Sequence, residues 1–283
     1  MGLAVDSALR QTYSPLEIVL SDQGSTDRTF DVITDFASRY DGPNKVSVMK
    51  CRDTEAKGMA GLNRHIDCIM KNVDADVFIF NSADDWSHPD RTARVVKAFE
   101  DHDPDYVGTM VEFMSEDKVS EGFSLYPHES KFVTVKEIIE NRIGGSFSCS
   151  WSRSFYERFG PIPGAVGPDT YLPPLAAFGK GYYALAEVLH VYFKHQDPEN
   201  TGFWGMFESM KTDDEKARVS EVEFWQIAAG LKAVMDKTDR LGIKVDDESG
   251  QALMSAFISR VSGWVEIRHQ LGLRKIPPMA LPI

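Results

Sequence analysis

Short apolar runs alternate with amphipathic stretches through the first two-thirds of the chain. Val5 to Gln11 reads as the end of a helix and Leu16 to Ser21 as a short buried strand. Thr29 to Arg39 sets Phe30, Ile33, Phe36 and Ala37 on one face at helical spacing, with Ser25, Thr26 and Asp27 ahead of it as capping residues. Lys45 to Met49 reads as the next strand, Ala60 to Met70 as a helix, and Val77 to Phe80 as a strand running towards Asp84 and Asp85. Arg91 to Asp101 is expected to be helical with Val95, Val96 and Phe99 inward, Tyr106 to Met114 a strand, and Val135 to Asn141 a short helix. A Gly144-Gly145-Ser146 break leads into Phe147 to Trp151 and a helix from Arg153 to Phe159. Strands alternating with helices imply parallel βαβ units, hence an α/β fold with a doubly wound, mostly parallel sheet flanked by helices.

Beyond the crowded loop that holds Pro161, Pro163, Gly164, Gly167 and Pro168, the pattern changes character at about Gly205. Phe224, Ile227, Leu231, Val234 and Met235 form one stripe within Val222 to Leu241, and Leu253, Phe257, Val261, Trp264 and Leu271 form another. These predict two antiparallel helices, packed on the sheet domain or on a second subunit. The expected division is a sheet domain over 1–204 and a C-terminal helical appendage over 205–283, with homo-oligomer formation through the appendage as one of its uses.

Composition narrows the function classes. A net charge of −12 argues against tracking a phosphate backbone, so nucleic acid is not an expected partner. The three cysteines, Cys51, Cys68 and Cys149, are widely spaced and odd in number, which fits a reducing setting. No apolar run approaches the roughly 20 residues needed to span a bilayer, and the start lacks a signal-peptide pattern. The expected location is cytoplasmic, with the inner face of a membrane as a peripheral site.

The chemistry concentrates at Phe78-Ile-Phe-Asn-Ser-Ala-Asp-Asp-Trp-Ser-His-Pro-Asp90. Adjacent carboxylates at the C-terminal end of a strand sit where open α/β sheets bind ligands, and oxygen-rich sites suit hard cations such as Mn²⁺ or Mg²⁺. Equally, Ser87 and Pro89 fit an ordinary helix start.

Three segments in order, Ala4 to Thr29 with its Asp22-Gln-Gly-Ser-Thr-Asp27 turn, Gly58-Met-Ala-Gly-Leu-Asn63, and the Asp84-Asp85 strand end, resemble the family 2 glycosyltransferases of GT-A fold. The resemblance is specific over about residues 4–100, weaker over 145–200, and absent beyond. It implies a glycosyltransferase that moves a sugar from a nucleotide-diphospho-sugar to an acceptor hydroxyl on a glycan or small molecule, inverting and metal-dependent, in surface glycan synthesis. Asp84 then falls on the metal-ligand position, with Asp85 as an accessory. Ser82 replaces the first aspartate of the Asp-x-Asp element, where its hydroxyl would face the ribose. Asp22 falls on the base-contacting position, with Gln23 in place of a second aspartate. Asn63 matches a nucleotide-contacting Arg-Asn pair in which Leu62 has replaced the arginine.

The resemblance further places Asp169, after Pro168, on the general-base position, although an aspartate opening a helix is also an ordinary cap. Leu175 stands where many relatives carry arginine. In Val191 to Asn200, His195 falls on a residue that closes over the diphosphate or joins the metal, and Lys194 on one that neutralises phosphate charge. Relatives open with a hydrophobic strand and a nucleotide-holding turn, whereas Met1-Gly-Leu-Ala already reads as the following helix, so that strand and turn are expected to be missing. These departures set a second expectation beside the enzyme: a degenerate member that binds nucleotide-sugar or a partner without turnover. A nucleotidyltransferase would need a basic, glycine-rich phosphate loop near the start, and none is visible.

Overall fold

The structure is a computed structural model that describes residues 2–51, 58–115, 117–124, 127–141, 148–164, 166–194 and 212–273. Helix α1 (Gly2–Leu9) leads to a parallel pair, β1 (Glu17–Asp22) and β2 (Lys45–Lys50), joined through α2 (Thr29–Arg39). Ile33 of α2 packs on Ile18 and Leu20 with Phe30, Phe36, Val46 and Val48 around them, as the helical and strand periods require. Helix α3 (Gly58–Asn72) follows, then β3 (Val77–Ile79), β4 (Trp86–Ser87), α4 (Arg91–His102), β5 (Tyr106–Met114), β6 (Ser120–Phe123), β7 (Lys131–Val133) and α5 (Val135–Asn141). The remaining elements are β8 (Cys149–Ser152), α6 (Arg153–Phe159), α7 (Pro168–Ala177), β9 (Tyr182–Phe193), α8 (Asp213–Arg240) and α9 (Asp247–Gln270).

Seven strands form the second sheet, in the order β3-β8-β5-β9-β4, with β6 on β5 and β7 on β9. The α/β class is as the alternation implies, but this sheet is mixed rather than mostly parallel. β5 and β9 run parallel, whereas β8 runs antiparallel to both β3 and β5, and β4 and β7 run antiparallel to β9. Apolar periodicity specifies which face of a strand is buried and not its direction, so β8 was invisible as a reversed strand. β3, β5 and β9 consequently point the same way and deliver their C-terminal ends to one edge.

The C-terminal helices pack on the sheet domain, one of the two expected placements. Ala229, Leu231, Ala233 and Val234 of α8 and Leu253 of α9 belong to the same core as Tyr106, Trp151, Phe155, Leu172, Leu175 and Tyr182. A Cβ on Gly230 would lie 2.6 Å from Thr170 Cγ2, so this glycine lets α8 press directly against the start of α7. The expected boundary at 204/205 falls outside the described residues. Among the described residues, no helix is long and apolar enough to cross a membrane.

Two local expectations are corrected. Ser87 does not cap a helix: it lies in β4, Asp90 is the N-cap of α4, and the Ser87 hydroxyl donates to Asn81 Oδ1 at 2.7 Å. Cys51 and Cys68, expected as separate thiols, form a disulfide with a Cα–Cα distance of 6.1 Å that ties the end of β2 to α3. Seventeen residues of sequence separation hid their proximity, because the placement of α3 against the end of β2 is tertiary information. Cys149 is free and buried.

Candidate active site

The β1 strand ends in a buried carboxylate. Asp22 Oδ2 accepts from the Gly24 amide at 3.1 Å, and Ser25 donates to Asp22 both its amide, at 3.2 Å, and its hydroxyl, at 2.5 Å. Burial pushes the Asp22 pKa up, but the Ser25 and Gly24 bonds and the nearby Lys50 charge together outweigh it and hold the group below the ordinary carboxylate range. Gly24 permits the turn with φ of 108°. Gln23 is half-buried in the same turn. From α3, His65 Nε2 meets the Ser21 hydroxyl at 2.6 Å.

The acidic loop follows β3. Asp84 is exposed at its tip, Ser82 is half-buried, and Asp85 is fully buried. Asp85 accepts from the Phe193 amide at 3.2 Å and lies 3.1 Å from His190 Nε2, an unexposed pair that pins the loop to β9. Asp84 is close enough to act on the charges of both His190 and Tyr192. Lys194 follows β9 and pairs with Glu121 of β6 at 2.8 Å. The structure thus brings Ser82, Asp84, Asp85 and Lys194 to the C-terminal ends of β3 and β9. His195 lies outside the described residues.

Two residues that the sequence reading passed over hold this loop. Arg91, buried in the first turn of α4, donates to Phe80 O at 2.8 Å, Ser87 Oγ at 2.8 Å and Asn81 Oδ1 at 3.3 Å. Burial lowers its pKa to about 10, which leaves it charged at neutral pH. His190 is the second, and it stays neutral. Burial first, then the Arg91 charge, push its pKa well below the ordinary value against the opposing pull of Asp84. A signal for Arg91 existed, since an arginine in the first turn of a helix opposes the macrodipole and needs a reason to be there.

The histidines carry a pH prediction. Unfolded imidazoles titrate near pH 6.5. As the pH falls below that value, the unfolded chain takes up a proton that the folded His190 refuses. Stability therefore falls on acidification, by up to about 1.4 kcal/mol per pH unit for a group that stays neutral when folded. Half-buried His65 shifts the same way, through burial, with Asp22 opposing. Urea unfolding should show stability falling from about pH 7.5 to about 5.5, with a shallower fall in His65→Gln. An identical slope in the variant would remove His65 from the effect.

Asp169 is the second residue of α7, whose N-cap is Gly167 with no side-chain capping bond. The residue as a whole is exposed, while the protein packed around its carboxylate desolvates that group. Its pKa is raised by that burial, with the amides of Asp169 and Thr170 and the Thr170 hydroxyl holding the rise back. An accessible carboxylate of raised pKa is a stronger base than a surface one. Pro173 and Pro174 lie inside the same helix and lack N–H groups, so the Asp169 and Thr170 carbonyls have no helical donor four residues on.

Asn63, which the resemblance assigns to nucleotide contact, meets the loop before α7. It is buried on α3, and its amide donates to the carbonyls of Gly164 at 2.9 Å and Val166 at 2.7 Å, while its Oδ1 is buried with no hydrogen-bond partner. It therefore anchors the loop that leads into Asp169. Helix α3 is a common wall, with His65 on the Asp22 turn and Asn63 on the Asp169 loop. Buried Cys149 joins the two other parts: burial pushes its pKa up to about 12, and it feels both the Asp169 and the Arg91 charges.

Among the described residues, no three carboxylate, histidine or cysteine side chains gather to hold a metal ion by themselves. Asp84 remains as one exposed carboxylate. Mg²⁺-type sites commonly use only one or two protein carboxylates and complete their shell with phosphate oxygens and water, so the loop fits a cation that arrives with a nucleotide.

Comparison with known proteins places the chain in a family. A family model described as glycosyl transferase family 2 matches residues 2–158. An uncharacterized glycosyltransferase of Nostoc sp. strain PCC 7120 is 33% identical over 110 residues, a match that spans 39% of this chain and 31% of that protein. Among solved structures, TarS 1-349 of S. aureus in complex with UDP-GlcNAc superposes with a TM-score of 0.54 at 14% identity, covering 94% of this chain and 78% of that one. A further structure of S. aureus TarS 1-349 gives a TM-score of 0.54 at 12% identity, covering 96% of this chain and 87% of that one. At such identities the likeness is one of fold.

Proposed function

Because the chain belongs to glycosyl transferase family 2, we propose that it moves a sugar from a nucleotide-diphospho-sugar to an acceptor hydroxyl, with inversion, in the synthesis of a surface glycan. The reading rests on exposed Asp84 in the strand-end loop and, on a separate element, Asp169 at the start of α7, whose carboxylate is made more basic by its surroundings. Asp169 takes the proton of the acceptor hydroxyl as its oxygen bonds to the anomeric carbon from the face opposite the diphosphate. The bond from that carbon to the diphosphate oxygen breaks in the same displacement, and the nucleotide leaves with the electron pair. Asp84 would hold Mn²⁺ or Mg²⁺ at this loop, and such a cation would supply positive charge against the leaving diphosphate.

Nucleotide recognition falls to Asp22, Gln23 and Ser82. Three donors fix the Asp22 carboxylate in its turn, so the half-buried Gln23 amide beside it is the more adaptable contact for a base. Asp85 acts by pinning the loop, and Asn63 by holding the approach to Asp169. The TarS complex makes UDP-GlcNAc the first donor to try.

A binding role without turnover draws its support from the same commitments: Lys194 is engaged by Glu121, and the Asp22 oxygens by their own turn. Thermal shift with UDP, GDP, dTDP and CMP, each with and without Mn²⁺, separates the cases. One nucleotide should stabilise the chain only with Mn²⁺, by about 2.7 kcal/mol at a hundred times its Kd. The effect should vanish in Asp84→Ala, and retention of full metal-dependent affinity there would sink the metal assignment. Binding without transfer or hydrolysis would leave the non-catalytic reading.

A further inference from the structure

Helix α9 carries an apolar seam that is exposed to solvent along much of its length. Met254, Ile258 and Val265 of α9 are 48%, 55% and 41% exposed, although Leu253 and Trp264 on the adjoining face are buried. With half-buried Val261 they form a row at intervals of four, three and four residues, the spacing of a helix-pairing seam. Charge is absent from this row. Arg260, the charged residue within the span, is turned onto the Phe224 ring of α8 at 5.0 Å.

We infer that this seam pairs with the same seam of a second copy, as an antiparallel, two-fold symmetric contact between α9 helices. A four-three-four spacing reads the same in both directions. A two-fold axis between Ser259 and Arg260 therefore places Met254 opposite Val265 of the second copy and Ile258 opposite Val261. The same register opposes no like charges on α9: Glu266 meets Leu253, Glu248 meets Leu271, Arg268 meets Gln251 and His269 meets Gly250. For a chain of net charge −12, self-association needs such an uncharged contact. A lipid surface is the poorer fit, because interfacial helices carry basic residues beside the apolar row.

Four apolar side chains per copy make a small interface, so the dimer is expected to dissociate in the micromolar range. Sedimentation from about 2 to about 200 µM should show a concentration-dependent monomer-dimer equilibrium, with Ile258→Glu raising the dissociation constant at least about tenfold. Ile258 is exposed, so the variant should keep the thermal midpoint of the parent. Register is read by oxidative cross-linking. Met254→Cys with Val265→Cys in one chain should give a covalent dimer, whereas Met254→Cys alone should not, since the two Met254 positions lie eleven residues apart along the antiparallel pair. A monomer at every concentration, a dimer indifferent to Ile258→Glu, or cross-linking by Met254→Cys alone would each overturn the inference.

Discussion

Replacing Asp169 by asparagine should lower sugar transfer by about 10²- to 10⁴-fold, the usual contribution of a positioned general base, while nucleotide affinity stays within about twofold of the parent. Asparagine keeps the size of the side chain and an acceptor oxygen at the start of α7, so the local bonds from the Asp169 and Thr170 amides have a partner in the variant. What it removes is a proton acceptor. The same substitution should erase the acidic limb of the transfer rate against pH. In the parent that limb marks the Asp169 carboxylate, and burial places it above the ordinary aspartate value. The measurement is steady-state transfer with the nucleotide found by thermal shift, in kcat and KM separately. A fall in kcat at constant KM is the base signature, since the proton moves only in the transition state. Equal rates in Asp169→Asn and the parent would remove Asp169 from the mechanism.

Legibility in the sequence divides along a physical line. Where burial alone sets an element, the pattern predicts it closely: Thr29–Arg39, Tyr106–Met114, Val135–Asn141 and Arg153–Phe159 stand in the structure with the bounds the periodicity implies. Helix α8 starts at Asp213, nine residues before the expected start at Val222, because its first turn is polar and exposed. The Thr212–Glu215 capping box there was the available signal. The carboxylates of the candidate site were legible as residue types at a strand end. Their division of labour was not. Asp84 and Asp85 are neighbours of identical chemistry, and only the pairing of β4 with β9 sends one to His190 and the other to solvent. Asn63 likewise meets carbonyls more than a hundred residues away, which no local spacing encodes.

Arg91→Met should cost about 3–5 kcal/mol of folding stability, the range for breaking one side of a buried charged network. The guanidinium is buried beneath the acidic loop and is the donor to three acceptors at once, Phe80 O, Asn81 Oδ1 and Ser87 Oγ. Methionine fills similar space but takes the guanidinium donor from the Phe80 carbonyl, while Asn81 Oδ1 keeps the Ser87 hydroxyl. It also removes the positive charge that acts on Asp85 and helps keep His190 neutral. With Arg91 gone, acidification should therefore destabilise the fold less steeply than in the parent, because His190 protonates more readily. Arg91→Lys separates charge from geometry: an ammonium supplies the charge but cannot bridge three acceptors as the planar fork does, so the loss should be intermediate. Urea denaturation of the three proteins reads the order directly. A cost below about 1 kcal/mol for Arg91→Met would mean that the loop does not depend on this arginine. Metal-dependent nucleotide binding should then be unchanged in the variant. A large cost should instead come with weakened binding in the fraction that remains folded, since Asp84 is displayed by the loop that Arg91 holds.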